Sequence, residues 1–327
     1  MKRFTLFLTL LILSSATLAQ NGKGNHDPSK VRFFTADIER FWHAYDLAAK
    51  ETTRDRKAEI FNKEYLYKAS DGLEDFARMR IRRAEWLVDA IARRPKFYAS
   101  IRESTERVST MDTAIREIFG KFVDIYPEAV VPDVYFVVGT AGTGGTIGRS
   151  GLLVGAEMYG RNDNMPNEEL SEWQRSVIAP IEDVTAIVAH EACHYNQDLA
   201  EPKTLLGKAI QEGSCDFIGE MISGRNINAR LSEYGHTNDA ELWREFQEEM
   251  DKQDLSKWLY NGYSIKYRPA DLGYYVGYRI AASYYSQADD KTQALRDILH
   301  IKDFRKFLKA SRYNASEQEL RSQTASP

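Results

Sequence analysis

Two histidines and two carboxylates occur in this sequence at spacings that suit the binding and use of a metal ion. His190 and His194 enclose Glu191 in a His-Glu-x-x-His string, and Glu212 follows eighteen positions after the second histidine. Side chains four residues apart lie on one face of an α-helix, so the two imidazoles can bind the same ion. Catalytic zinc typically has three protein ligands and one open position. The spacing therefore predicts a zinc site with His190, His194 and Glu212 as ligands.

Two further side chains have roles that such a site requires. A bound zinc ion lowers the pKa of water from about 15.7 to about 7. Glu191, next to the ligand face, is predicted to take up the proton as general base. Tyr274 is predicted to support the developing oxyanion, with Tyr275 and Tyr278 as alternatives. Glu191 and Tyr274 are thus the predicted catalytic residues.

Other residues near the motif are predicted to support the ligands. Asp216 lies one helical turn after Glu212, and we expect it to accept the free ring N–H of a ligand histidine. Gln211 is expected to serve the other histidine in the same way. The only two cysteines, Cys193 and Cys215, lie beside the ligands. In an oxidising compartment they suggest a disulfide, and two small buried hydrophobic side chains are the alternative interpretation.

The N-terminus has the pattern of an export signal. A positively charged pair precedes an apolar run at residues 4–13, and small residues follow that suit cleavage near Ala19. The run is too short to span a bilayer, and no later segment is apolar enough to do so. No cysteine lies near the predicted cut, so we expect no lipid anchor there. The sequence predicts an exported chain, periplasmic or secreted, without an integral membrane segment.

The charge balance argues against nucleic acid as a partner. Signal removal takes Lys2 and Arg3 from the 44 basic residues, which leaves 42 against 48 acidic ones. The mature chain is therefore mildly acidic and has no basic stripe. We expect a peptide or protein substrate, and the sequence does not predict an oligomeric state.

The apolar periodicity predicts a predominantly helical α+β fold. A zincin-like core with a small β-sheet or hairpin is expected to follow an N-terminal helical region. The predicted segments are a signal peptide at 1–19, a flexible lead-in at 20–30, an N-terminal helical region at 31–128, a zincin-like metallopeptidase region at 129–314 and a disordered tail at 315–327.

The zincin-like region is predicted to contain two strands and several helices. β-branched and aromatic residues predict strands at 134–138 and 151–158, joined by a glycine-rich loop. We interpret this loop as a mobile hairpin connection; alternatively, it borders a substrate groove and pairs with a peptide by strand addition. The short turn between the first two predicted helices makes them antiparallel neighbours. Helices are predicted at 182–198, 204–223, 271–287 and 291–309.

The motifs resemble those of the gluzincin peptidases, in which His-Glu-x-x-His is followed by Glu-x-x-x-Asp. Glu-Gly-x-x-Asp at 212–216 and a later Gly-Tyr-x-x-Gly at 273–277 are also similar to a bacterial family of predicted zinc-dependent proteases. That family is in turn similar to gliding-motility-associated proteins. The resemblance implies a zincin-like core with the zinc ligands and catalytic base named above. The interval between His194 and Glu212 is slightly shorter than in well-studied aminopeptidases and thermolysins.

These patterns predict an exported zinc metallopeptidase that hydrolyses peptide bonds. The alternative is a non-catalytic exported envelope protein, with a binding or assembly role and a structural or degenerate metal site. A hydrolase of other amides would use the same residues. Structural zinc sites usually have four protein ligands and do not need a carboxylate such as Glu191. The three-ligand set and Glu191 therefore favour the peptidase.

Overall fold

The computed structural model describes residues 25–262 and 267–314. The predicted signal peptide at 1–19 and the predicted tail at 315–327 lie outside these residues. The described chain is predominantly helical, with a four-stranded mixed sheet, which confirms the predicted α+β class. Across the described residues, no helix combines the length and the apolar character that a membrane crossing requires.

Short capped helices make up most of the first part of the chain. Thr53 and Ser70 each accept a hydrogen bond from a backbone N–H in the first turn of the helix that follows, which satisfies a donor that the helix itself leaves unpaired. The elements are β1 (Phe33–Phe34), α1 (Ala36–Ala48), α2 (Arg54–Glu64), α3 (Asp71–Phe76), a π-helix (Ala77–Ile81), α4 (Ala84–Arg93), α5 (Pro95–Ser100), α6 (Arg102–Glu106) and α7 (Asp112–Ile125).

The sheet is completed by β2 (Val134–Val137), β3 (Gly145–Ile147) and β4 (Leu152–Gly155), in the order β1-β2-β4-β3. Strands β1, β2 and β4 are parallel, and β3 pairs with β4 in the antiparallel direction. All residues of β2 and β4 are buried, whereas β3 is an edge strand that is only partly buried.

The predicted strand at 134–138 is present as β2, whereas the one at 151–158 is a strand only over β4, because residues 156–159 form a 3-10 helix. The predicted hairpin between the two strands is wrong. β2 and β4 are parallel, so the connection must return from the end of β2 to the opposite edge of the strands, where β4 begins. The glycine-rich connection makes this return and forms β3 on the way. Part of the predicted mobile loop is therefore an ordered edge strand.

The second part of the chain contains the helices that carry the metal-binding motif. The predicted helices at 182–198 and 204–223 are α9 and α10, with ends that differ by one or two residues. The predicted helix at 291–309 is two helices, because Asp303 caps a new start. The helices are α8 (Glu172–Val177), α9 (Val184–Asn196), α10 (Leu205–Ser223), α11 (Ala229–Thr237), α12 (Asp239–Glu249), α13 (Leu272–Gln287), α14 (Lys291–Leu299) and α15 (Phe304–Ser311).

The predicted regions on either side of residue 128 share one hydrophobic core. β1, from the first region, pairs with β2, from the second. The described end of the predicted flexible lead-in also packs on the protein: Asn25 forms a β-bridge with Val131, and the Arg116 guanidinium donates to the Pro28 carbonyl over 2.7 Å. The described residues of this lead-in, 25–30, therefore make long-range contacts with the rest of the chain.

Helices α10 and α13 approach each other closely enough that their backbones touch. A Cβ atom at Gly277 would lie 1.7 Å from the Ala209 carbonyl oxygen, and one at Gly213 would lie 2.1 Å from the Tyr278 nitrogen. Such distances are far below van der Waals contact, so both positions require glycine. Because Gly213 follows Glu212, this contact fixes the position of the predicted third ligand.

Glu157, just after β4, is a fully buried carboxylate that holds the start of the glycine-rich connection. Its Oε1 accepts a hydrogen bond from the Ala141 N–H over 3.1 Å. Its Oε2 is buried and has no hydrogen-bond partner among the described residues. Burial raises the pKa of the Glu157 carboxyl to about 7, although backbone hydrogen bonds from Gly139 and Ala141 oppose the rise.

The raised pKa predicts that stability falls as the pH rises. The Glu157 carboxyl has a pKa of about 7 in the folded chain and about 4.3 when unfolded, so the folded state binds more protons between these values. We expect wild type to lose about 2–3 kcal/mol more than Glu157→Gln between pH 4.5 and pH 8. Urea denaturation of both proteins at the two pH values measures this difference, and equal losses would contradict the assignment.

Candidate metal centre

His190, His194 and Glu212 converge at the interface of α9 and α10. His194 Nε2 lies 3.0 Å from His190 Nε2 and 3.1 Å from Glu212 Oε2, and His190 Nε2 lies 3.7 Å from the same oxygen. Zinc bonds of about 2.0–2.1 Å at tetrahedral angles separate neighbouring ligand atoms by about 3.3 Å. The three atoms therefore fit one zinc ion. Among the described residues, His190, His194 and Glu212 form a group of side chains close enough together to share a metal ion.

The electrostatics of the cluster also favour a cation. Burial alone would raise the pKa of Glu212, but the charge of His194 and hydrogen bonds from both histidines outweigh it and hold this pKa well below its usual range. Burial would lower the pKa of His190, but its interactions with Asp216 and Glu212 raise it. The carboxylates thus stabilise positive charge at the centre of the cluster, where a metal ion would sit.

Each histidine has a second partner that fixes its ring. His190 Nδ1 lies 2.8 Å from Asp216 Oδ1, and the other oxygen of Asp216 accepts a hydrogen bond from Asn228 over 2.7 Å. His194 Nδ1 lies 2.8 Å from Gln197 Oε1. Each Nδ1 atom therefore lies beside a side-chain oxygen, and the Nε2 atoms face Glu212, as ligand nitrogens must.

The prediction that Gln211 serves the second histidine is wrong. Its side-chain oxygen accepts a hydrogen bond from Lys208 over 3.2 Å, and its backbone carbonyl accepts one from Gln197 over 2.8 Å. Adjacent residues on a helix point about 100° apart, so Gln211 is directed away when Glu212 faces the histidines. Gln197, just beyond the end of α9, takes the predicted place of Gln211.

Tyr260 contacts the cluster, although sequence spacing does not identify it. Its hydroxyl donates to Glu212 Oε1 over 2.7 Å, and its backbone is left-handed, with φ of 58°. The predicted oxyanion donor, Tyr274, is close by, with its ring 6.3 Å from that of His190. Tyr275 donates to Asp239 instead. Tyr260 lies 48 residues after Glu212, outside any helical spacing that would have indicated it.

Glu191 lies beneath the edge strand of the sheet. A Cβ atom on Gly145 of β3 would lie 3.1 Å from Glu191 Oε1, so the strand backbone passes directly over the carboxylate. Burial raises the pKa of the Glu191 carboxyl, and the charges of His194 and His190 oppose the rise. A proton-accepting group, a partly exposed strand edge and the three potential ligands therefore adjoin one another.

Cys193 and Cys215 form a disulfide in the structure, with their Cα atoms 5.2 Å apart. Cys193 precedes His194, and Cys215 precedes Asp216. The covalent link thus joins the two helices within one residue of groups in the cluster. Both sulfurs are buried, so the disulfide also forms part of the core.

The fold and the cluster define a helical α+β protein with three potential metal ligands brought together between two helices. A family model described as gliding motility protein GldB matches residues 22–315. The match covers most of the chain, and the chain belongs to this family. Searches of curated proteins and of solved structures found no match.

Tyr260 provides a test of metal positioning. Tyr260→Phe removes the hydrogen bond to Glu212 Oε1, and partners of metal ligands typically contribute 10–100-fold to metal affinity. We expect zinc to bind at least about 10-fold more weakly, as measured by competition with a chromophoric chelator. Tyr67→Phe, at a side chain that is exposed, is the matched control. Unchanged zinc affinity in Tyr260→Phe would show that the hydroxyl does not support the ligand.

The disulfide can be tested independently of metal. Peptide mapping without reductant should recover the Cys193–Cys215 pair, and two free thiols would contradict the assignment. Replacement of both residues by serine should lower the free energy of unfolding by about 2–4 kcal/mol, because the cross-link restricts the unfolded chain. Urea denaturation without reductant measures this loss.

Proposed function

We propose that this chain is an exported, envelope-associated protein of gliding motility that binds one zinc ion through His190, His194 and Glu212. The convergence of the three ligand atoms carries the metal assignment. Family membership supports the role in gliding motility, and the export signal in the sequence supports an envelope location. In this proposal the protein has a binding or assembly role.

The metal would have a structural part in that role. α9 and α10 meet at the cluster, and a zinc ion bound there ties the two helices together in addition to the disulfide. Binding of a metal to the folded state alone adds its binding free energy to stability. A surface built on this helix pair would then depend on the metal for its shape.

Peptide hydrolysis is the second candidate function, and the surroundings of Glu191 favour it. A structural site needs no buried carboxylate beside its ligands. Three ligands leave one position for a substrate or water, and a bound zinc ion would activate water and polarise a carbonyl. Glu191 would accept a proton and return it to the leaving amine. Hydrolysis of other amides would use the same residues.

The metal assignment predicts one zinc ion per chain. Elemental analysis of freshly purified protein should find it, and His194→Ala and Glu212→Ala should each lose it, because two remaining ligands bind zinc weakly. His43→Ala is the control, since this histidine is exposed on α1. Protein without metal, or full zinc retention by both ligand variants, would contradict the proposed centre.

Glu191→Gln separates the two candidate functions. The variant should keep zinc, because Glu191 is not one of the three ligands. If the protein has an assembly role, zinc-loaded wild type should leave a peptide library intact, and Glu191→Gln should restore gliding to a deletion strain while His194→Ala should not. Cleavage that a chelator and Glu191→Gln both abolish would instead establish the peptidase.

A further inference from the structure

Arg80 extends from the N-terminal half of the chain to the edge strand beside the metal centre. It lies on the π-helix Ala77–Ile81, and its Nη2 donates to Thr146 Oγ1 of β3 over 3.0 Å. π-helices are rare, and they occur frequently at functional sites. The residue therefore has both a special backbone and a long-range contact.

Among the described residues, the guanidinium of Arg80 has no carboxylate partner. Its Nε is buried without a hydrogen-bond partner, and within residues 25–262 and 267–314 no Asp or Glu oxygen is in ion-pair contact with it. By contrast, Arg78 on the same π-helix pairs with Asp75. Arg80 is only half-buried, but arginine remains charged there, so a guanidinium with an unpaired N–H group can bind an anion.

This cation lies near the potential metal ligands. Its partner Thr146 follows Gly145, and a Cβ atom on Gly145 would lie 2.8 Å from Glu191 Cγ. The charge of Arg80 acts on the Glu191 carboxyl and also on the Tyr260 hydroxyl, which is bonded to Glu212. Arg80 is thus within electrostatic range of Glu191 and Tyr260, and it forms no ion pair with Glu191.

We propose that Arg80 forms an anion subsite beside the metal. A ligand would bind the metal through one group and place a neighbouring carboxylate on Arg80. The inference rests on the proposed metal centre and holds for a binding protein as well as for a peptidase. Arginine suits this role because its planar fork matches a carboxylate, and such charge-assisted bonds are about twice as strong as neutral ones. The ligand class is a peptide with an acidic side chain or a free C-terminal carboxylate.

The subsite can be tested with small metal-binding probes. Monohydroxamates of dicarboxylic acids, from malonic to adipic, share one metal-binding group and place a carboxylate at increasing distance from it. The matched monoamides lack only the charge. Calorimetric titration of zinc-loaded wild type should show roughly tenfold tighter binding of the carboxylate at one chain length. Arg80→Gln should remove this preference without weakening the amide, and Arg80→Lys should retain part of it.

The controls separate the subsite from general charge effects. Arg83→Gln changes a solvent-exposed arginine nearby and should keep the full preference. Equal affinity for carboxylate and amide at every length, or a preference that survives Arg80→Gln, would overturn the proposal. Competitor peptides that differ only as Asp against Asn, or as a free against an amidated C-terminus, identify the source of the carboxylate.

A second measurement does not depend on metal. Phenylglyoxal modifies arginine, and mass spectrometry locates the modified residue. Glutarate should protect Arg80 at least several-fold better than glutaramide does, and equal protection would count against the subsite. If the protein binds no zinc, the metal centre fails while this comparison still decides the role of Arg80.

Discussion

The contact between α9 and α10 is the constraint on which the candidate site depends. One helix supplies two imidazoles, the other supplies Glu212 and Asp216, and neither can form the cluster alone. A disulfide holds the pair from one side, and α13 holds α10 from the other through touching glycines. A ligand set that must match bond lengths within a few tenths of an ångström needs this degree of restraint.

The buried ionisable side chains distinguish this interface from an ordinary apolar core. Glu191, Glu212 and Asp216 are all largely shielded from water near two histidines. Burying so many ionisable groups is unfavourable unless positive charge accompanies the carboxylates. A zinc ion bound by neutral imidazoles would supply that charge.

Family membership concerns the cellular process, whereas the residues of the cluster concern the chemistry that the protein could perform. The family is described by its part in gliding motility, whereas the His-Glu-x-x-His helix resembles that of zinc peptidases. The family description and the motif are compatible, because an envelope protein can have a hydrolase-like fold either as a structural scaffold or as an active enzyme. Glu191 is the residue on which this difference depends, since metal binding does not require it.

The local sequence was sufficient to predict the helices of the motif and the residues facing one another on them. Helical periodicity is a short-range property, so the spacing of His190, His194, Glu212 and Asp216 could be interpreted directly. The predominantly helical class followed from the same periodicity. Gln211 was misplaced because a difference of one residue rotates a side chain by about 100°, and only the packing of α10 sets that angle.

Tertiary structure decided what lies around the motif. Tyr260 and Gln197 lie in loops, and Arg80 lies on a π-helix. No helical or strand periodicity in the sequence therefore predicts where these side chains point. The parallel pairing of β2 with β4 was equally hidden, because an apolar strand does not encode the orientation of its neighbour. The sequence by itself determined the potential ligands and the helices that bear them. Long-range packing determined which strand covers Glu191 and which side chains surround the potential ligands, because these contacts join segments far apart in the chain.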